Sequence, residues 1–210
     1  MKQMKHLLKP AVISVLTFSL VVIGVTYVHS TVVKSRNLAE LSNLAEQIFV
    51  GKVINLTDDI GEYNIPYTTI TFQISRSLKG GLAEGSTFSY RQFGLLKARA
   101  VGGDDKMLVV AVLDGMPQYR LGEETVVFLY KAASLTGLRT AVGLAQGKFT
   151  IENGKIFNKI NNDRLFDRMT VDESKFTGNE ARMLSKKIGP VDADTFINLV
   201  SRAVNERLFY

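Results

Sequence analysis

Between residues 47 and 158 the apolar side chains recur mostly at every second position, in short runs separated by glycine, proline, asparagine and aspartate. A period of two specifies strands, and the gaps between runs are too short for the crossover helices that parallel pairing requires. The chain is therefore expected to be mainly β and antiparallel. Residues 47–55 put Ile48, Val50 and Ile54 on one face and Phe49, Gly51 and Val53 on the other, so both faces are buried. The turn residues Asp58, Asp59, Gly61 and Pro66 separate this run from 67–78, where Ile70, Phe72 and Ile74 alternate with Thr69, Thr71, Gln73 and Ser75 to leave one wet face. Further strands are expected at 86–93, at the continuous apolar run 106–113, at 124–131 and at 140–145. The runs 148–151 and 156–158 flank Asn153-Gly154, a pair suited to the positive φ angles of a two-residue hairpin turn.

Helical spacing is confined to the two ends. Leu38, Leu41, Leu44 and Ala45 mark a short helix over 37–46, Thr177 with Glu180 forms a capping box for a helix through 187, and Asp192 caps a second helix. In that last helix Phe196, Leu199, Val200, Ala203 and Val204 make one apolar stripe, suited to covering the protein's own strands. About seven short strands between terminal helices predict a barrel or sandwich. The division expected is 1–36 as a leader, 37–160 as the β domain and 161–210 as a helical segment packed on it.

The leader carries three lysines in residues 1–9 and no formal charge from 10 to 33. Its apolar core, 11–28, would span roughly 27 Å as a helix, close to the hydrocarbon thickness of a bilayer. Val28-His29-Ser30 offers a cleavage site for a signal peptide, while the length of the apolar run suits a retained transmembrane anchor. In both cases the lysines hold the N-terminus in the cytoplasm and the remainder is exported. The product is then anchored in the inner membrane facing outward, or released as a periplasmic or secreted protein.

Net charge is +6, but Lys2, Lys5, Lys9, Lys34 and Arg36 precede the first acid, Glu40, which leaves residues 37–210 with one surplus positive charge. A nearly neutral exported domain is not built to hold nucleic acid. The chain has no cysteine, so its core must hold without disulfides and no lipid can be attached through a thiol. Both histidines, His6 and His29, lie in the leader. Schemes built on Ser-His-Asp or Cys-His, and zinc, copper, haem or iron–sulfur sites held by imidazole or thiolate, are thereby excluded from the domain.

Carboxylates remain. Asp58-Asp59, Asp104-Asp105, Glu123-Glu124 and Asp163 with Asp167 are the acids available for general acid–base work, and a convergence of Asp104 with Glu123 at glycosidase spacing would be its sign. Asn161, Asn162, Asp163 and Asp167 could offer oxygen to calcium, but the glycine and terminal glutamate of an EF-hand loop are missing. Gly143 and Gly147 lie in strand-like sequence with no helix after them, so they do not form a phosphate loop. Tyr63, Tyr67, Tyr90, Phe93 and Tyr119 with Arg76, Arg91 and Arg99 could line a ligand-binding face, although alternating aromatics in a small barrel ordinarily fill its interior.

The segment 44–53 (LAEQIFVGKV), the strand ending Leu78-Lys79-Gly80, Gly122-Glu123 before a strand ending Phe128-Leu129, and 142–151 (VGLAQGKFTI) follow one another in a recognisable order. Over residues 41–158 the chain resembles a group of exported bacterial proteins whose core is similar to the OB barrel of netrin modules and metalloproteinase inhibitors. The resemblance implies an antiparallel OB-like barrel, but not protease inhibition. Those inhibitors chelate zinc through an N-terminal cysteine, whereas a cut after Ser30 would expose Thr31 here. The expectation is an exported, noncatalytic binding module for an envelope protein or glycan, with no catalytic, cofactor or metal residue assigned. The alternative is a carboxylate-dependent hydrolase acting on envelope polysaccharide.

Overall fold

Alternation becomes a ladder in the computed structural model, which describes residues 34–97 and 115–209. The strands are β1 (Gln47–Ile60), β2 (Pro66–Lys79), β3 (Thr87–Phe93), β4 (Glu124–Leu129), β5 (Lys148–Glu152), β6 (Lys155–Asn158) and β7 (Val191–Asp192). Among the described residues they form one sheet in the order β3-β2-β1-β4-β5-β6-β7, with every pairing antiparallel. The helices are α1 (Leu38–Leu44), α2 (Gly178–Leu184) and α3 (Ala193–Glu206). The mainly β, antiparallel reading with helices at both ends therefore holds. The sheet is not closed: β3 and β7 are its edges, and among the described residues no ladder joins them. The leader and the apolar run 106–113, with Arg99, Asp104 and Asp105, lie outside the described residues.

Each face of the sheet carries its own core. On one side Ile48, Val50, Val126, Phe128, Phe149 and Ile156 pack with α1, α3 and the buried Leu165. Phe196 of α3 closes this side, its ring centroid 5.0 Å from that of Phe149. On the other side Phe49, Val53, Ile70, Phe72 and Tyr90 pack with Tyr119 and Ala141. Gly51 lets the two strands approach closely, because a Cβ there would stand 3.1 Å from the Gln73 carbonyl oxygen and 3.3 Å from the Phe72 Cβ, tighter than most such contacts. Register shifts beside Phe49, Gly51 and Asn55 bend β1, as bulges do.

Local chemistry ends the elements where it was expected to, with some corrections. Asn153 and Gly154 take φ of 50° and 69° and turn β5 into β6. Thr177 and Glu180 form the reciprocal capping box, and Asp192 accepts a hydrogen bond from the Thr195 N–H at 2.9 Å to open α3. The N-terminal helix stops at Leu44, because Glu46 N already donates to the Leu129 carbonyl and commits the chain to the sheet. Asp58 and Asp59 are not turn residues: β1 continues to Ile60 and pairs them with Thr68 and Tyr67. Residues 140–145 are not a strand either. A single bridge from Ala141 to Leu129 is followed by a tight turn in which Gly143 and Leu144 take φ of 64° and 60°.

Candidate functional site

Period two decides which side chains of β5 meet solvent. Phe149 is wholly buried against α3, so Lys148, Thr150 and Glu152 project from the opposite face, where Phe157 of β6 is the register partner of Thr150. The turn 120–123 approaches the same place. Gly122, at φ 82°, donates its N–H to the Val53 carbonyl at 2.8 Å, and Val53 N donates to the Glu123 carbonyl at 2.9 Å. This double bond to β1 fixes Glu123 over β5.

The result is a nearly buried polar cluster. The side chains of Lys148 and Glu123 are 10% and 12% exposed and form an ion pair, Nζ to Oε1. Lys148 Nζ also donates to Thr150 Oγ1 at 2.8 Å, and the Thr150 hydroxyl donates to Glu123 Oε1 at 2.6 Å. Arg120 N donates to the other carboxylate oxygen at 3.1 Å. The Lys148 ammonium stands 5.5 Å from the centroid of the Tyr119 ring, whose hydroxyl accepts from Tyr90 at 2.6 Å. Burial lowers the Lys148 pKa from the ordinary lysine value, and the bond to Glu123 works against that shift.

Above this cluster lies a cleft of about 440 Å³, bordered by Gln118, Arg120, Glu152, Phe157, Lys159 and Asn161. Phe157 is half-buried and the other five are exposed. The floor pairs one ammonium with one carboxylate and is internally neutral. The Thr150 proton points to a carboxylate already balanced by an ammonium, so the hydroxyl has no strong base beside it.

Of the acids considered from sequence that are among the described residues, Glu123 alone lines this cleft; Glu124 is exposed at the start of β4, opposite Lys52. Glu152, not singled out by sequence, also lines it. Asp58 accepts from Thr68 Oγ1 at 2.8 Å and from the N–H groups of Leu96 and Lys97, which pins the chain after β3. Asp59 accepts from Ile60 N, and Asp167 pairs with Lys187 at 3.1 Å. Asn162 is 1% exposed, and its amide oxygen accepts from Asn158 N while its amide nitrogen donates to the carbonyls of Ile156 and Gly189. That side chain is committed to the fold. Among the described residues no group of three or more His, Cys, Asp and Glu side chains could hold a metal ion.

The aromatic and basic residues do not form one face. Tyr90 and Tyr119 lie in the core beside Phe72, Tyr67 stacks with Arg91 on the outside at 5.1 Å, and Arg76 reaches α3 to bond Asn198 at 3.0 Å. The side chain of Tyr63 and all of Arg99 lie outside the described residues, and Phe93 is half-buried at the end of β3.

The buried tyrosines give an alkaline signature. Burial is the largest cause that raises both phenol pKa values above the ordinary 10.0. The folded protein then keeps protons that the unfolded chain releases above pH 10, so stability falls as pH rises through that range. Burial of Lys79 and Lys148 acts with the opposite sign, but only below the ordinary lysine value of 10.5. Chemical denaturation at pH steps above 10.5 is expected to show a loss of about 1.4 kcal/mol per pH unit for each tyrosine, roughly halved in Tyr90→Phe. A flat profile in that range would contradict the buried pair.

Comparison of the chain with protein-family models, curated proteins and solved structures gives no significant match.

Proposed function

We propose that this protein is an exported, noncatalytic binding module that holds a segment of envelope glycan in the cleft over β5 and β6. The observation that carries the reading is one cleft combining a half-buried ring, Phe157, with a rim of planar hydrogen-bonding side chains above a neutral floor. A sugar ring offers a C–H face to an aromatic plate and paired hydroxyls to amide, carboxylate and guanidinium groups. A fixed floor holds such a ligand without a reorganisation cost.

The reading includes an OB-like barrel of the netrin-module type, with the apolar run 106–113 as a further strand, and the aromatic core of Phe49, Phe72, Tyr90 and Tyr119 on one sheet face supports it. It also includes export through the leader 1–36, which places the domain outside the inner membrane, anchored through 11–28 or released. The hydrolase alternative draws on Glu123 and Glu152 sharing the cleft, but the pairing of Glu123 with Lys148 argues against a free acid there.

The test is retention of the purified full chain on immobilised envelope glycan. Phe157→Ala is expected to weaken retention about tenfold, as loss of an aromatic contact does. Equal retention by that variant, or cleavage of the glycan that Glu123→Gln abolishes, would defeat the proposal.

A further inference from the structure

A second site is built where the described residues begin, and of its lining residues Ala145 and Lys159 also line the glycan cleft. Lys34, Asn37, Glu40, Arg164, Asp167 and Arg168 line a hollow of about 570 Å³. A neighbouring hollow of about 440 Å³ shares Ser35 and Arg164 and adds Lys159. The cations stand out from the surface: the side chains of Lys34 and Arg164 are 73% and 66% exposed, and that of Lys187, beside Asp167, is 80% exposed. Glu40 is taken up by Lys34 and by Asn37 N, and Asp167 by Lys187. Asp163 stands 3.9 Å from Arg164, at the limit of an ion pair. Arg168 makes no ion pair among the described residues. Among the described residues that line the larger hollow, three cations, Lys34, Arg164 and Arg168, thus stand with two acids, Glu40 and Asp167.

The site stands on fixed backbone. Asn161, Asn162, Arg164 and Arg168 all take positive φ, between 54° and 58°, so the segment is a succession of tight turns. The buried amide of Asn162 holds those turns to β6. Asn37 and Leu38 are clamped to them: Leu38 N donates to the Leu165 carbonyl at 2.7 Å, and Asn37 Nδ2 to the Asp167 carbonyl at 3.0 Å. Gln146 holds the preceding residues from the other side, accepting from Arg36 N at 2.9 Å and donating to the Lys34 carbonyl at 3.1 Å. Arg164, Arg168 and Lys34 therefore line one hollow from backbone that is held in place.

We infer that the face around Arg164, Arg168 and Lys34 binds the phosphodiester headgroup of anionic lipid. Guanidinium forks match phosphate oxygens in pairs, and the lysine adds a point charge. Lys34 directly follows the uncharged stretch 10–33, so the argument for lipid as the source rests on the reading of 11–28 as a membrane leader. Basic residues that directly follow a membrane span stand at the level of the headgroups, where anionic lipid attracts them within a Debye length.

The test is amide hydrogen exchange over residues 159–169 of the full chain assembled with nanodiscs, either of phosphatidylcholine alone or of a mixture with phosphatidylglycerol. Exchange is expected to slow several-fold in the anionic discs only. The double variant Arg164→Gln/Arg168→Gln should return it to the neutral-disc rate, while Arg182→Gln, on α2, should leave the slowing intact. Equal exchange in both discs overturns the inference. Inorganic phosphate, added without discs and producing the same slowing, would reassign the face to free phosphate and overturn the lipid source. If the chain fails to enter either disc, the leader reading falls by itself, and anionic vesicles added to the free chain then decide the headgroup claim by the same exchange readout.

Discussion

Gly147→Ala is expected to cost the fold about 3 kcal/mol, the upper range for forcing an atom into a packed site, or to prevent folding outright. Its φ is −90°, so backbone conformation is not the reason. A Cβ at this position would stand 2.3 Å from the Val142 carbonyl oxygen and 3.0 Å from Val142 N, and backbone cannot swing aside as a flexible side chain does. Both residues are tied to β4: Phe128 N donates to the Gly147 carbonyl, and Val142 N to the Phe128 carbonyl. Pushing them apart therefore strains the centre of the sheet. Gly154→Ala is the control. It sits at φ 69° with open space around it, so it carries only the left-handed penalty of about 1 kcal/mol. Urea denaturation of the two variants should separate them clearly. Similar midpoints would show that Gly147 is not a site of close approach.

Lys148→Met is expected to lose about 3 kcal/mol, because it leaves the Glu123 carboxylate nearly buried with its cation gone. Removal of Glu123 instead, as Glu123→Leu, should cost a similar amount by stranding the ammonium. The informative variant is the double one. With both charges gone there is no uncompensated ion, so the combined loss should fall short of the sum of the two single losses by about 2 kcal/mol. Thr150 and Arg120 N would still lack their acceptor, which keeps the double variant below wild type. Additive losses would mean that the pair is not coupled and that the floor of the cleft is less fixed than the geometry states.

What could be read from sequence was local. The Asn153-Gly154 turn, the capping box of Thr177 with Glu180, the Asp192 cap and the stripe of α3 each depend on residues within one or two turns of each other. The burial of both faces of β1 was legible because apolar residues stand on both sides of that one strand. The misreadings came from partners far along the chain. Asp58 looks like a turn acid until the N–H groups of Leu96 and Lys97, 38 and 39 residues on, are placed beside it. Lys148 and Glu123 are 25 residues apart, and nothing in Lys148-Phe149-Thr150 marks the lysine as paired. Alternation on β5 did announce a polar face, which was the available clue to the cleft. Residues 140–145 failed as a strand because their apolar pattern is satisfied by a bridge and a tight turn. β7, at two residues, is too short for any period to register.

The cleft and the hollow around Arg164 share an architecture in which polar groups are fixed by distant backbone. In the first, the turn 120–123 is stitched to β1 and delivers Glu123 to Lys148. In the second, Asn162 and Gln146 lock two loops against the beginning of the domain. Each presents exposed side chains on a hydrogen-bonded base.

Amide hydrogen-exchange mapping of the purified full chain, with and without saturating soluble fragments of envelope glycan, tests the central claim most directly. Slowed exchange confined to residues 118–123 and 148–161, lost in Phe157→Ala and accompanied by no cleavage of the fragments, is the predicted result. Protection centred instead on Tyr67 and Arg91, or turnover of the fragments that a single glutamate-to-glutamine change abolishes, would contradict it.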